Sequence, residues 1–381
     1  MIHATSPAER ERRYAALRMA MDGAGHDALL ISGRGDEFMR GRIQYVSDVF
    51  QWAGWGFVLL PRDGDATLLA DPLGGYGTGA GAPWLADVRV TAKPAEELAS
   101  LLRDCEADCG TIGIVGLSDI TAAAHLRALE QALPRARFDD ATDLFDSVRA
   151  IKSDEEVANF EETSAILRAV FIALEAELRP GVREFDILAE AHRLCRQYGC
   201  VDGIALIGRP PAVGFGPGSA APLERGDVIV VDLEWGGPSG YWLELRRCFS
   251  LGAPPDVVRR HWETRVEVFE ACIDAIRPGA SSQEILDARD RVYTRHGLSA
   301  GDDIRYSAHG IGLDSLEPPW VPGKERELEP GMMLSLHPNA VLEPAEAAVC
   351  GGVSVGDNVL VTANGARRMT YDVEQWVTLD T

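Results

Sequence analysis

Asp232-Leu233-Glu234 and Leu243-Glu244-Leu245-Arg246-Arg247 are the segments of this 381-residue chain best placed for chemistry. Residues i and i+2 of a strand share a face, so Asp232 and Glu234 point the same way. Gly236–Gly240 then makes a turn, and Tyr241–Phe249 returns as a partner strand that can bring Glu244 close to Asp232. Carboxylates gathered on one buried face cost free energy unless a metal, a cation or shared protons neutralise them; on an exposed face they are simply solvated. Arg246 and Arg247 point to opposite faces of that strand, so at most one reaches the acidic cluster. His309, in Ala-His-Gly-Ile-Gly-Leu, and His337, closing an apolar run before Pro338, are the candidate imidazoles. Imidazole with carboxylate suits one divalent transition metal, and it equally suits metal-free acid–base catalysis.

A repeat positions these groups. Glu177–Gly199 and Ala275–Gly297 share Arg-Pro-Gly, an Ile-Leu pair and a closing Gly in register. A strand-like run follows each copy, Gly226–Asp232 after the first and Gly331–His337 after the second. Two copies of helix-then-sheet predict a pseudo-two-fold domain with a cleft, and Asp232 and His337, ending equivalent strands, are expected to face each other across it. Ser153-Asp-Glu-Glu156 is a capping box opening a long helix to about Leu178, and Ser281 with Glu284 is a second one. Upstream, helical and strand patterns alternate from about Pro7 to Asp146, including a hairpin signal at Arg62-Asp63-Gly64. The predicted organisation is α/β (α+β), with domains at 1–150 and 151–381.

Composition narrows the function classes. A net charge of −22 repels phosphate backbones and anionic lipid, so neither nucleic acid nor a membrane is an expected partner. Seven scattered cysteines without paired metal-knuckle spacing read as buried thiols of a reducing compartment. With no apolar leader and no membrane-length apolar run in the sequence, the expected location is cytoplasmic.

Residues Ser153–Asn364 resemble the pita-bread family that includes methionine aminopeptidase, aminopeptidase P, prolidase and creatinase. The matching pieces are Arg149–Glu156, Arg179-Pro-Gly181, Gly226–Asp232, Leu243–Phe249, His309-Gly-Ile-Gly312, Glu317-Pro-Pro319, Glu329–Leu336 and Gly352–Val361. Gly41–Asp48 is similar to a loop in the N-terminal domain of prolidase and creatinase, which implies an N-terminal creatinase/prolidase-like α/β domain followed by a pseudo-two-fold pita-bread domain.

The family's peptidases bind two metals through Asp, Asp, His, Glu and Glu. The corresponding residues here are Asp232, Glu244, His309, His337 and Gly356, so the bridging carboxylate is missing and a dinuclear centre is not expected. Phe215 and Leu316 stand where the resemblance places substrate-handling histidines. Leu243–Phe249 resembles the creatinase segment whose Glu binds a guanidinium group, and Asp232-x-Glu234 is similar to a pair in a dimethylsulfoniopropionate lyase of this fold.

The leading expectation is therefore a creatinase-like hydrolase or lyase acting on a small polar, even cationic, molecule, and not a dinuclear metallopeptidase. His309, Glu244 and His337 would be catalytic. Asp232, Glu244, His309 and His337 would ligate at most one Fe, Mn or Zn. Glu234, Phe215, Arg42, Trp52 and Glu317 would contact substrate. A homodimer is implied, since the Arg42–Trp55 loop of such relatives reaches a neighbouring subunit's site. A catalytically inactive binding module and a divergent one-metal peptidase are the alternatives.

Overall fold

The computed structural model describes residues 5–73, 84–212, 214–300, 307–319, 326–370 and 376–380. The chain divides into two compact units, Met1–Arg149 and Ala150–Thr381.

In the first unit the elements run α1 (Pro7–Ala24), β1 (Ala28–Arg34), α2 (Gly41–Ser47), β2 (Trp55–Pro61), β3 (Thr67–Ala70), β4 (Asp87–Val90), α3 (Pro94–Asp104), β5 (Thr111–Val115), α4 (Ala123–Ala132), β6 (Arg137–Asp140) and α5 (Thr142–Ala150). The strands form one mixed sheet in the order β4-β3-β2-β1-β5-β6. Its central strand β1 is apolar and almost wholly buried, as a strand covered on both faces must be. Leu30, Phe57, Leu69 and Ile112 from the sheet pack with Leu98 and Leu102 of α3 and Leu129 of α4. The β2–β3 hairpin follows the predicted turn.

The segment read as a loop at Gly41–Asp48 is instead the helix α2, buried throughout. It is seven residues long, too short to show a helical period in sequence. Asp48 ends it in the left-handed region (φ 57°) and accepts hydrogen bonds from Thr5. Arg42, on this helix, is buried against Asp146 at 2.9 Å and reaches Asp119 at 2.9 Å, so its guanidinium is engaged within its own unit. Trp52 is 55% exposed.

The second unit runs α6 (Asp154–Glu177), α7 (Glu184–Gln197), β7 (Asp202–Gly208), β8 (Val228–Gly236), β9 (Trp242–Leu251), α8 (Asp256–Ala275), α9 (Ser282–Arg295), β10 (Ala308–Gly310), β11 (Met333–Leu336), α10 (Pro344–Cys350), β12 (Asp357–Thr362), β13 (Gly365–Arg368) and β14 (Trp376–Leu379). The repeat is visible as structure: a long helix, then a 14-residue helix, then a four-stranded sheet, twice over. The sheets have the orders β14-β9-β8-β7 and β10-β11-β12-β13. Gly181 and Gly279 of the two Arg-Pro-Gly turns both take positive φ (91° and 79°), which explains why glycine recurs there. Both predicted capping boxes form, at Ser153/Glu156 and Ser281/Glu284. Val268, Phe269 and Cys272 of α8 and Ile285 and Val292 of α9 pack on Leu334, Leu336, Val359 and Val361 of the second sheet.

The strand placement needs one correction. Asp232 lies in the middle of β8, whereas His337 follows the end of β11, so they do not end equivalent strands. β8 continues through Glu234 and Trp235 because it is paired on both sides, with β7 and β9.

Stability of the first unit has a pH signature. Burial pushes the Glu9 carboxyl up, but hydrogen bonds and charge from Arg12 and Arg13 outweigh it and hold it down to about 2. Glu9→Gln is therefore expected to cost about 1–2 kcal/mol at pH 7, less than the full shift implies because Arg12 faces solvent. A carboxyl lowered in the folded state stabilises above its unfolded value, 4.5, and loses that contribution as pH falls toward 2. Urea unfolding should show a constant gap between variant and wild type above about pH 5.5 that closes near pH 2. A gap independent of pH would contradict the assignment.

Candidate metal centre

The acidic cluster follows from strand register. Val228–Val231 of β8 is a buried apolar run, and pairing with β9 sets Glu234 opposite Glu244 and Asp232 opposite Arg246. Like charges facing each other across a ladder are destabilising. Arg246 compensates them. Its Nε donates to Asp232 Oδ2 at 2.9 Å, its Nη2 donates to Glu244 Oε1, and its Nη1 donates to Ser354 Oγ at 3.3 Å. The Phe215 ring lies 4.8 Å from the guanidinium carbon. Arg247 points the other way and pairs with Glu175 at 2.8 Å, as strand alternation requires.

The second sheet supplies the imidazoles. His309 on β10 and His337 after β11 place their Nε2 atoms 3.3 and 3.5 Å from the same oxygen, Glu244 Oε2. Ser335 Oγ donates to that oxygen at 2.7 Å, and Ser315 Oγ donates to Glu234 Oε2 at 2.7 Å. Asn358 of β12 ties the sheets together: its side-chain oxygen accepts from Glu244 N at 3.3 Å, and its amide donates to Glu244 O at 2.6 Å.

Burial shapes the electrostatics. It raises the Asp232 carboxyl well above the ordinary range, with the Arg246 charge opposing and Glu244 and Glu234 adding to the rise. Burial also raises Glu234, helped by the charge of Glu244. Glu244 is the exception: burial pushes it up, but Arg246, His337 and His309 hold it well below. Burial lowers His309 too, yet the bond to Glu244 carries it upward. His337 is driven down to about 3 by burial, with Arg246 and His309 adding to the effect.

Among the described residues, two groups could hold a metal ion, Glu244–His309–His337 and Asp232–Glu234–Glu244, each offering ligand atoms within 4.8 Å of one another. The first fits a divalent ion. His309 Nδ1 is 3.0 Å from the Gly310 carbonyl, which can only accept, so Nδ1 carries the proton and Nε2 turns a lone pair toward the Glu244 carboxylate. A cation, either a proton or a metal ion, must lie between them. In the second group Asp232 and Glu244 already hold the Arg246 guanidinium.

The remaining expected residues take varied places. Phe215 lines a cavity of about 450 Å³ together with Arg246, Arg265, His337, Val341 and Val353. Glu317 is buried and its carboxylate pairs with Lys152. Gly312 makes room for this, since a Cβ there would lie 1.8 Å from Glu317 Oε1. Asp357 does not stand in for the carboxylate missing at Gly356: it turns to Thr370, Arg368 and the Asn358 amide. Arg42 and Trp52 belong to the first unit. Sequence reasoning missed Ser315, Ser335, Asn358 and Arg265. Ser335 is the polar position within the predicted strand Gly331–His337 and so carries a signal, whereas Asn358, Ser315 and Arg265 lie outside the strands the sequence predicts.

The Metallopeptidase family M24 model matches residues 158–363, and the Creatinase/Prolidase N-terminal domain model matches 13–151. The chain is 28% identical over 290 residues to an Xaa-Pro dipeptidase of Pyrococcus furiosus, covering 74% of this chain and 78% of that protein. It is 29% identical over 259 residues to a probable dipeptidase PepE of Mycobacterium tuberculosis, covering 66% of each. In fold it matches the dipeptidase PepE of Mycobacterium ulcerans (TM-score 0.78, 24% identity, 100% of both chains). It also matches the X-Pro aminopeptidase of Thermotoga maritima (TM-score 0.82, 19% identity, 96% and 99%). The fold expectation is met: an N-terminal creatinase-like domain precedes a pita-bread domain.

The functional expectation is corrected. The reading as a creatinase-like enzyme of a small polar molecule, set against the metallopeptidases, is overturned by relatives that are Xaa-Pro dipeptidases and dipeptidases. It leaned on the carboxylate missing at Gly356, on Phe215 and Leu316 in place of histidines, and on the likeness of Glu244 to a guanidinium-binding Glu; Glu244 turns out to hold the chain's own guanidinium, Arg246, rather than displaying a free carboxylate to a cationic substrate. Among the described residues no helix is long and apolar enough to cross a membrane. The family's members are hydrolases, and the chain belongs to metallopeptidase family M24, with a creatinase/prolidase-type N-terminal domain.

Proposed function

We propose that this chain is a metal-dependent peptidase that hydrolyses the amide bond of dipeptide-sized substrates, Xaa-Pro among them. The observation that carries the reading is the convergence of Glu244 Oε2, His309 Nε2 and His337 Nε2, with the His309 tautomer fixed by Gly310. Those three residues would hold one divalent transition metal, and two imidazoles with a carboxylate suit Fe, Mn or Zn. Bound there, the ion supplies Lewis acidity toward the scissile amide and water. Ser335 fixes the Glu244 carboxylate from behind, and Ser315 fixes Glu234 beside it. Such outer partners set ligand orientation.

The cavity beside His337 supports a substrate with a free carboxylate. Arg265 lines it, is 4% exposed, and donates from Nη1 to the Tyr293 hydroxyl at 3.5 Å, while among the described residues its Nε has no partner. A buried cation without a carboxylate is costly, and a substrate carboxylate would relieve that cost. Phe215, Val341 and Val353 give the same cavity apolar walls suited to a small side chain or a pyrrolidine ring.

Removal of metal by a chelator is expected to abolish hydrolysis of an Xaa-Pro dipeptide, with recovery on adding back Mn or Zn. His309→Ala and His337→Ala should each lower metal affinity by at least about tenfold, read as metal content after dialysis. Full activity in the chelated protein would refute the metallopeptidase reading. Arg265→Met should raise KM for the free dipeptide about tenfold or more with kcat nearly kept, and leave the peptide amide unaffected. An equal loss on acid and amide would remove Arg265 from the carboxylate site.

A further inference from the structure

The second cluster, Asp232–Glu234–Glu244, gathers three carboxylates within reach of one ion. Among the described residues, the cation found there is Arg246, with Nε on Asp232 and Nη2 on Glu244. We infer that the Arg246 guanidinium is the resident cation of this cluster, standing where a second metal ion would have to bind, so that the centre takes one ion on the Glu244–His309–His337 side. The inference rests on the metal-binding reading of those three residues and is independent of which peptide is cleaved.

Three observations carry it. The first is the fork itself: a planar guanidinium spans two carboxylates on adjacent strands, and the same group donates to Ser354, which donates in turn to Asn339 Oδ1 at 3.1 Å. Arg246 is held at all three nitrogens and is not a side chain passing through.

The second is Gly356. It is the bridge partner of Arg246, and a Cβ there would lie 3.1 Å from Arg246 Cδ, 3.3 Å from Cγ and 3.4 Å from His337 Cβ. Glycine at 356 thus leaves room for the Arg246 stem, which a larger side chain there would crowd.

The third is charge balance. The three carboxylates can carry at most three negative charges, which one guanidinium and one divalent ion already match. A second divalent ion beside a retained guanidinium would leave excess positive charge in a buried site, which is costly. Arg246 also lines the cavity next to His337, against the Phe215 ring, so its fixed charge faces the substrate space. It acts through Asp232 and Glu244 and is a positioning residue.

The test is metal stoichiometry, titrating Mn and separately Zn into chelated, dialysed protein by calorimetry and elemental analysis. Wild type should saturate at one ion per chain. Arg246→Ala, and the double variant Arg246→Ser with Gly356→Glu, should saturate at two. Arg246→Lys, which keeps a cation but loses the fork, should stay at one. Two ions in wild type, or no gain in either Arg246-free protein, would overturn the inference.

If the Arg246-free proteins are markedly destabilised without metal, Mn should raise their melting temperature by at least about twice its effect on wild type, which supports the inference by mass action. Failure to fold at any metal concentration would count against it, because a metal ion should replace the lost charge. No ion in wild type would defeat the proposed function. Uptake confined to the Arg246-free variants would still support the role of Arg246, and uptake in none would end it.

Discussion

The buried carboxylates of Asp232 and Glu244 and the half-buried one of Glu234 lie within ligand distance of one another and would destabilise the β8–β9 hairpin without a counter-charge, and Arg246 supplies the first of it. Its position is set by the same ladder that creates the problem. Register places Glu234 against Glu244 and, two residues on, Asp232 against Arg246. Charge repulsion and its relief are built into a single hairpin. The remaining charge is met from the other sheet, where His309 and His337 approach the free side of the Glu244 carboxylate.

Glu244 is consequently the hinge of the centre. One of its oxygens belongs to Arg246 and the other to Ser335 and the two imidazoles. Its backbone is clamped by Asn358 across the junction of the two sheets. Burial alone would keep such a carboxyl protonated, and it is the convergence of Arg246, His337 and His309 that holds it ionised. Pre-organisation of this kind lets a ligand set wait for its ion without rearranging.

Much of this was legible in the sequence. The Arg-Pro-Gly repeat and its capping boxes predicted two helix-and-sheet halves, because turns and helix starts have local chemical signatures. Strand alternation foretold that only one of Arg246 and Arg247 could reach the cluster. Glu244 was expected near Asp232 and its carboxylate does lie with those of Asp232 and Glu234; what alternation could not give was cross-strand register, which depends on the length of the turn at Gly236–Gly240 and sets Glu244 directly opposite Glu234. Arg265 was invisible, since a lone arginine on an amphipathic helix reads as a surface charge until its surroundings are known. The substrate class was misread because Glu244 reads in sequence as a carboxylate free for a cationic substrate, whereas it is engaged by Arg246 two residues along its own strand.

A crystal grown with Mn or Zn and measured at the metal absorption edge tests the central claim most directly. The expected map has one anomalous peak, within bonding distance of Glu244, His309 and His337, with Arg246 still seated on Asp232. Two peaks, the second between Asp232 and Glu244 with the guanidinium displaced, would contradict it.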